Sequence, residues 1–208
     1  MSRFVSGVVL AAGTSSRFGP QTKQLLPWHD TTLLEWVVRR VEASPLDEVV
    51  VTVGHEADEI RRNVALTRAR FVEARDFQQG CTSSIRAGLE ALAPQTDAVV
   101  LILGDQPGIE SATIAAVVDE WCQTQTPAVR VSYRGRSGHP MLFTRAVFEQ
   151  LKALHGDKGV WKLLDAHPEW VREVTLDQPY PGDINTWEDY VRLTPSRTLS
   201  PARGCSLG

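Results

Sequence analysis

Short β-branched runs alternate along this chain with longer amphipathic ones, and no other feature restricts its folding as much. The runs FVSGVVL (4–10), EVVVTV (48–53), ARFVEA (69–74), AVVLIL (98–103), AVRVSY (128–133), PMLF (140–143) and VREVTL (171–176) are the candidate strands. Between them apolar residues recur at helical spacing near 32–43, 57–65, 83–92, 111–123, 145–154, 157–166 and 186–193. Buried strands alternating with helices describe a mostly parallel sheet covered on both faces. The fold class this predicts is α/β, doubly wound. Thr32 with Glu35 reads as a capping box, and Ser111 and Asn185 read as N-caps.

A chain of 208 residues suits one compact core. No linker or repeat interrupts 1–193, which is read as one domain. From Thr194 the stretch TPSRTLSPARGCSLG has no periodicity, so 194–208 is expected to be a poorly ordered tail. With 42% hydrophobic and 23% charged residues the chain is neither disordered nor a membrane protein by composition. A net charge of −3 gives no basis for nonspecific nucleic-acid binding. The first apolar run is too short to span a bilayer and lacks a signal-peptide pattern, so a cytoplasmic protein is expected. Cys81, Cys122 and Cys205 are far apart and form no CxxC pair, which argues against a zinc site or a structural disulfide.

Ligands of doubly wound sheets bind beyond the carboxyl ends of the strands, and here the polar motifs follow strands. After the first strand comes LAAGTSSRFGPQTK, 10–23. Its small residues Ala11-Ala12-Gly13 let backbone N–H groups approach a phosphate. Ser15 and Ser16 add donors, and Arg17 and Lys23 add charge. The composition favours a polyphosphate, although a glycine turn with incidental cations has the same letters. Neither GxGxxG nor GxxxxGK[ST] is present, which disfavours a dinucleotide enzyme or a Walker loop.

Three further motifs carry polar groups. In VVLILGDQPGI (99–109) an apolar strand ends at Asp105, a carboxylate placed to bind Mg²⁺ or, alternatively, to close a turn. Ser111 is the better cap for the helix that follows, leaving Asp105 available. PYPGDINTWEDY (179–190) offers Asp183 as a second carboxylate for the same ion, or as helix-entry chemistry; adjacency of the two is not readable from sequence. In DFQQGCTSSIRAGL (76–89), Gly80, Ser83 and Ser84 are placed to meet a nucleobase or to cap a helix, with Arg86 nearby for phosphate or packing. Cys81 reads as a small filler, no histidine being close in sequence to activate it. His139 in RGRSGHPMLF and Asp157 in LHGDKGVWKLL are weaker substrate-contact candidates, each with an ordinary structural role as the alternative.

Taken in order, LAAGTSSRFGPQTKQLLPW, GCTSSIRAGL, LGDQPGI, SGHPMLF, HGDKGVWKLL and DINTWEDY resemble the MobA-like nucleotidyltransferase family. Within it they look most like CTP:molybdopterin cytidylyltransferases and their close relatives, over residues 4–193. The resemblance implies a Rossmann-like three-layer α/β/α sandwich of the nucleotide-diphospho-sugar transferase type. It also implies binding of an NTP with Mg²⁺ and transfer of NMP to a phosphorylated acceptor, with release of pyrophosphate. Carried over position by position, Leu10, Ala11, Ala12 and Gly13 line the nucleotide, and Arg17 and Lys23 hold its phosphates. Gly80, Ser83 and Ser84 sit at base and ribose, Asp105 and Asp183 at the metal, and Lys23, Arg17 and Asp105 form the catalytic set.

Ala12 looks like the cytidylyl form, since guanylyl members more often carry glycine there, so the resemblance favours CTP over GTP. The acceptor it implies is molybdopterin cofactor, with a molybdoenzyme as partner and neither nucleic acid nor membrane. A sugar phosphate acceptor and a noncatalytic cofactor carrier are the alternatives. The spacer Pro20-Gln21-Thr22 before Lys23 is one residue longer than in some members. No Ser-His-Asp or Cys-His set stands out, and none is needed: a phosphate monoester with its second pKa near 6 is already mostly dianionic at neutral pH. Alignment and charge neutralisation then suffice, and no general base is assigned.

Overall fold

The computed structural model describes residues 3–194 except Asp157, so the Asp157 candidate and the predicted tail from 195 onward lie outside the described residues. β1 (Val5–Leu10) is followed by two 3₁₀ turns, Ser16–Phe18 and Lys23–Leu25, and by the short antiparallel pair β2 (Pro27–Trp28) and β3 (Thr31–Thr32). Next come α1 (Leu33–Glu42), β4 (Glu48–Val53), α2 (Ala57–Asn63), β5 (Arg70–Glu73) and α3 (Cys81–Glu90). The second half runs β6 (Ala98–Leu103), α4 (Ser111–Thr124), β7 (Ala128–Tyr133), β8 (Arg136–Thr144), α5 (Phe148–Lys152), α6 (Gly159–Ala166), β9 (Val171–Leu176) and α7 (Trp187–Leu193).

Seven strands form one sheet in the order β5-β4-β1-β6-β8-β7-β9. Pairing is parallel except around β8, which runs antiparallel to β6 and β7. The exception has a local cause. Tyr133 pairs with Arg136 across Arg134 and Gly135, both at positive φ (48° and 84°), a two-residue turn of the kind that joins only antiparallel strands. This hairpin also starts β8 at Arg136, four residues before the predicted strand.

The alternation of buried side chains along each strand builds the layers. On one face Val9, Val51, Val100 and Ile102 pack against Leu34, Val37 and Val38 of α1 and Ile114 and Val117 of α4. On the other, Val8, Val99, Leu101, Met141 and Phe143 pack against Ile85 of α3, Leu151 of α5 and Leu164 of α6. Each such side chain contributes about 1.5–3 kcal/mol on burial, and truncating one like Leu101 to Ala costs about 2–5 kcal/mol. A third cluster holds Phe18, Leu26, Trp28, Leu33 and Ile184, with Tyr190 and Leu193 of α7 packed on it. It fastens the loop after β1 to the segment before α7, two regions more than 150 residues apart in the chain.

Helix entry differs from the sequence reading in detail. Thr32 accepts the Glu35 N–H at 3.3 Å, but the Glu35 carboxylate turns to Arg39 (2.6 Å) and the Ala65 N–H (3.1 Å), leaving half a capping box. Ser111 is the first helical residue of α4, whose N-cap is Glu110. At α7 the cap is Thr186, not Asn185, because Asp189 completes a reciprocal box with it: Thr186 Oγ1 accepts the Asp189 N–H at 3.2 Å and the Asp189 carboxylate accepts the Thr186 N–H at 3.0 Å. Among the described residues no helix is long and apolar enough to cross a membrane.

Candidate active site

The winding of the sheet decides where a ligand goes. β1, β4 and β5 step outward on one side, and after α3 the chain crosses back to lay β6 on the other side of β1, so the crevice opens at the carboxyl ends of β1 and β6. There the Gly104 N–H donates to the Leu10 carbonyl at 3.0 Å. A Cβ on Gly104 would stand 3.0 Å from that oxygen and 3.1 Å from Ala11 Cβ, so any larger residue would have to push the two loops slightly apart.

The loop after β1 is shaped by a residue that the motif reading passed over. Gln24 is buried, and its Nε2 donates to the carbonyls of Ala11 (2.7 Å) and Gly13 (3.3 Å). Its Oε1 accepts from Ser15 Oγ at 3.0 Å, and that hydroxyl in turn accepts the Lys23 N–H at 3.0 Å. The loop therefore closes on itself through one amide. Nothing in the spacing of the motif marks Gln24 beyond its place next to Lys23.

Lys23 reaches across the crevice, its Nζ 2.7 Å from Asp105 Oδ2. The Ile184 N–H donates to the Asp105 carbonyl at 3.0 Å, and Ile184 is fully buried in the third cluster. This brings the main chain at Asp183 and Ile184 against that of Asp105, an approach that no sequence pattern could supply. Gly108 permits it, since a Cβ there would lie 2.6 Å from the Pro181 carbonyl oxygen. Asp183 Oδ1 accepts from Gln106 Nε2 at 2.6 Å and from the Tyr180 hydroxyl at 3.1 Å, and Oδ2 lies 3.2 Å from the same hydroxyl.

Two cavities of about 380 Å³ each flank this centre. The first is lined by Leu10, Ala11, Ala12, Gly13, Lys23, Gly80, Ser84 and Asp105 among the predicted residues, joined by Gln24, Phe77 and Gln78. The second holds Asp105, Asp183 and His139 together with Tyr180 and Trp161, which the sequence reading did not single out. Leu10, Cys81, Leu103 and Asp105 line both, so Asp105 stands at their junction. α3 begins there without a side-chain cap, at Gly80 with φ 99°, and an uncapped helix N-terminus favours an anion.

Three predicted residues sit elsewhere. Ser83 is buried, its Oγ donating to the Gly80 carbonyl at 2.8 Å, and it lines neither cavity. Arg17 is exposed on the turn Ser16–Phe18 and lines neither, because the burial of Phe18 in the third cluster directs that turn inward at the next residue. Arg86 Nε donates to the Lys152 carbonyl at 3.2 Å, a packing contact.

Burial lowers the His139 pKa to about 4, the nearby Asp183 charge offsetting only part, so this imidazole is neutral at physiological pH. Burial first, then the charge of Asp183 and the hydrogen bond to it, push Tyr180 up to about 12, keeping its hydroxyl a donor. Among the described residues no three His, Cys, Asp or Glu side chains are grouped to hold a metal alone. Mg²⁺ is commonly held by one or two carboxylates with water or phosphate oxygens completing the shell, and Asp105 and Asp183, which line the same cavity, are the carboxylates of the chemical type that such an ion takes.

Comparison with known proteins bears on the family and the fold. The family model described as MobA-like NTP transferase domain matches residues 7–171. Nicotine blue oxidoreductase of Paenarthrobacter nicotinovorans is 29% identical over 199 residues, covering 91% of this chain and 96% of that protein. The solved homologue of Mycobacterium tuberculosis Rv0371c from Mycobacterium sp. strain JC1 is 40% identical with TM-score 0.85, covering 91% of this chain and 94% of that one. Rv0371c itself, solved in complex with manganese, is 38% identical with TM-score 0.79, covering 93% and 99%. Solved nucleotidyltransferases of lower identity share the fold.

Proposed function

The chain belongs to the MobA-like NTP transferase family, a nucleotidyltransferase family, and from that premise we propose an Mg²⁺-dependent cytidylyltransferase that moves CMP from CTP to the terminal phosphate of molybdopterin cofactor, releasing pyrophosphate. The observation that carries the reading is Asp105: it lines both cavities, pairs with Lys23 and has Asp183 beside it. One cavity suits the nucleotide and the other the acceptor, with the reacting phosphorus between them.

In the first cavity the backbone from Leu10 to Gly13 and the N-terminus of α3 face the triphosphate, and Lys23 exchanges Asp105 for the phosphates. Ala12 lines this cavity where guanylyl members more often carry glycine, and in our reading this favours CTP. In the second cavity Trp161, Tyr180 and neutral His139 offer flat surfaces to a planar heterocycle. A phosphate oxygen of the acceptor forms the new bond to the α-phosphorus as the bond to the β-phosphate oxygen breaks, and pyrophosphate leaves with that electron pair. No proton need move, so no general base is required. When bound, Mg²⁺ would be held by Asp105 and Asp183 and would offset the charge growing on the leaving group. We place the activity in the cytoplasm, with a molybdoenzyme as recipient of the product.

The test is Mg²⁺-dependent pyrophosphate release with molybdopterin cofactor and each of the four NTPs in turn. CTP is expected to give the highest kcat/KM. Preference for GTP refutes the Ala12 reading, turnover with a sugar phosphate instead of the cofactor refutes the acceptor, and tight cofactor binding without turnover indicates a carrier.

A further inference from the structure

We propose that Gln106 is a positioning residue for the divalent-cation site, its buried amide holding the Asp183 carboxylate in place beside Asp105 before any ion arrives. The proposal rests on the metal reading of Asp105 and Asp183 given above. Gln106 is fully buried and lines neither cavity, so it touches no ligand itself. Its Nε2 donates to Asp183 Oδ1 at 2.6 Å and to the Tyr180 hydroxyl at 2.9 Å, and that hydroxyl also faces both oxygens of Asp183. One amide hydrogen and the phenol are thus committed to one carboxylate 77 residues away in the chain, and the other amide hydrogen ties that phenol to Gln106.

The other end of the amide shows what this arrangement costs. Gln106 Oε1 is buried and has no hydrogen-bond partner among the described residues. An apolar side chain of similar length would fill the same space without stranding a polar atom, so stability alone does not account for an amide here. Turning the amide over is no remedy, since Oε1 would then face a carboxylate oxygen. What the amide supplies is a charge-assisted hydrogen bond that orients Asp183 and occupies Oδ1, while among the described residues Oδ2 has only the longer 3.2 Å contact with Tyr180 and keeps lone pairs for a cation. Because Gln106 directly follows Asp105, and Ile184 directly follows Asp183 and bonds the Asp105 carbonyl, the two carboxylates are cross-tied by one side-chain and one main-chain bond. Partners one shell out from a metal commonly orient its ligands in this way.

The experiment titrates the full chain with Mn²⁺ alone, reading free Mn²⁺ by electron paramagnetic resonance, and records thermal melts of the same samples. Gln106→Met is expected to weaken Mn²⁺ binding by about 10–100-fold, the usual effect of losing such a partner, with a Tm equal to or above that of the wild type. Wild-type Mn²⁺ affinity in folded Gln106→Met overturns the proposal. Should that variant not fold, Tyr180→Phe, at a half-buried position, takes its place: the loss of its hydroxyl weakens Mn²⁺ several-fold, and unchanged affinity overturns the proposal. Asp105→Asn and Asp183→Asn separate the two levels. If they lose Mn²⁺ while Gln106→Met keeps it, only the positioning role falls; if they bind Mn²⁺ like the wild type, the metal reading falls and takes this proposal with it.

Discussion

The ammonium of Lys23 lies 2.7 Å from the carboxylate of Asp105, joining the loop after β1 to the loop after β6 across 82 residues of chain. Both side chains are largely shielded from water, with 14% and 23% of their surface exposed, so the pair is screened less than a surface ion pair. It neutralises in advance the two groups that the proposed reaction needs charged. In the proposed reaction a nucleotide that drew Lys23 to its phosphates would free Asp105 for the cation, and the two binding events would be coupled.

Lys23→Ala and Asp105→Ala are each expected to slow pyrophosphate release by about 10²–10³-fold, the size seen when one preorganised charge-stabilising group is removed. Steady-state assays at saturating NTP measure this. Turnover at the wild-type rate in both variants would remove the pair from the reaction.

Gln24→Leu keeps the volume of a buried side chain but withdraws the donor to Ala11 and Gly13 and the acceptor for Ser15. The carbonyls left without their partner cost about 1–3 kcal/mol, and the loop loses its closed shape. The KM for NTP is expected to rise about tenfold or more with a smaller change in kcat, alongside a lower Tm. An unchanged KM would mean that the loop holds its form without Gln24.

Gly54 directly follows β4 where Phe77 and the loop after β1 converge: a Cβ there would lie 2.6 Å from Phe77 Cβ and 2.9 Å from the Ala12 carbonyl oxygen. Gly54→Ala must displace one of these neighbours, at a cost of about 1–3 kcal/mol. Since Phe77 and Ala12 line the first cavity, the KM for NTP is expected to rise with the loss of stability. Melts and kinetics on the same preparation decide it, and wild-type values in both would show that the Phe77 turn gives way freely.

Burial holds the His139 pKa at about 4, below the roughly 6.5 of an unfolded histidine. The unfolded chain therefore binds the extra proton first. The stabilisation from neutral His139 is complete above about pH 6.5 and is lost as pH falls from there toward 4, up to about 3 kcal/mol. Urea unfolding of the wild type and His139→Gln between pH 4 and 8 should give a flatter curve for the variant. Glu35 and Glu48 stay in both proteins: burial would raise each, but hydrogen bonds and a neighbouring arginine bring each below its usual value, so they add their own loss at lower pH and cancel in the difference. Parallel curves would show that His139 does not titrate in this way.

Much of the fold was legible as periodicity. AVVLIL reads as a strand buried on both faces, and Ala98–Leu103 is one, because successive side chains must point to opposite layers. The hairpin at Arg134 and Gly135 escaped notice because its signal is a pair of backbone angles, which Arg-Gly permits without announcing. The caps slipped by one residue at Ser111 and Asn185 for a similar reason: several polar residues compete at a helix entry, and Asp189 decides for Thr186 from inside the helix.

The site divides along the same line. That small residues, a lysine and a carboxylate follow strand ends is written in local order, since strand length and loop composition are short-range properties. That Ile184 bonds the Asp105 carbonyl, that Gln106 bonds the Asp183 carboxylate and that Arg17 lies on a turn whose next residue is buried in the third cluster follow from packing between segments far apart in the chain, whereas Ser83 is drawn to the Gly80 carbonyl three residues before it. A side chain's neighbours across 77 or 82 residues depend on which apolar faces bury against one another, Ile184 and Phe18 above all, and that free energy belongs to the assembled core rather than to any stretch of letters.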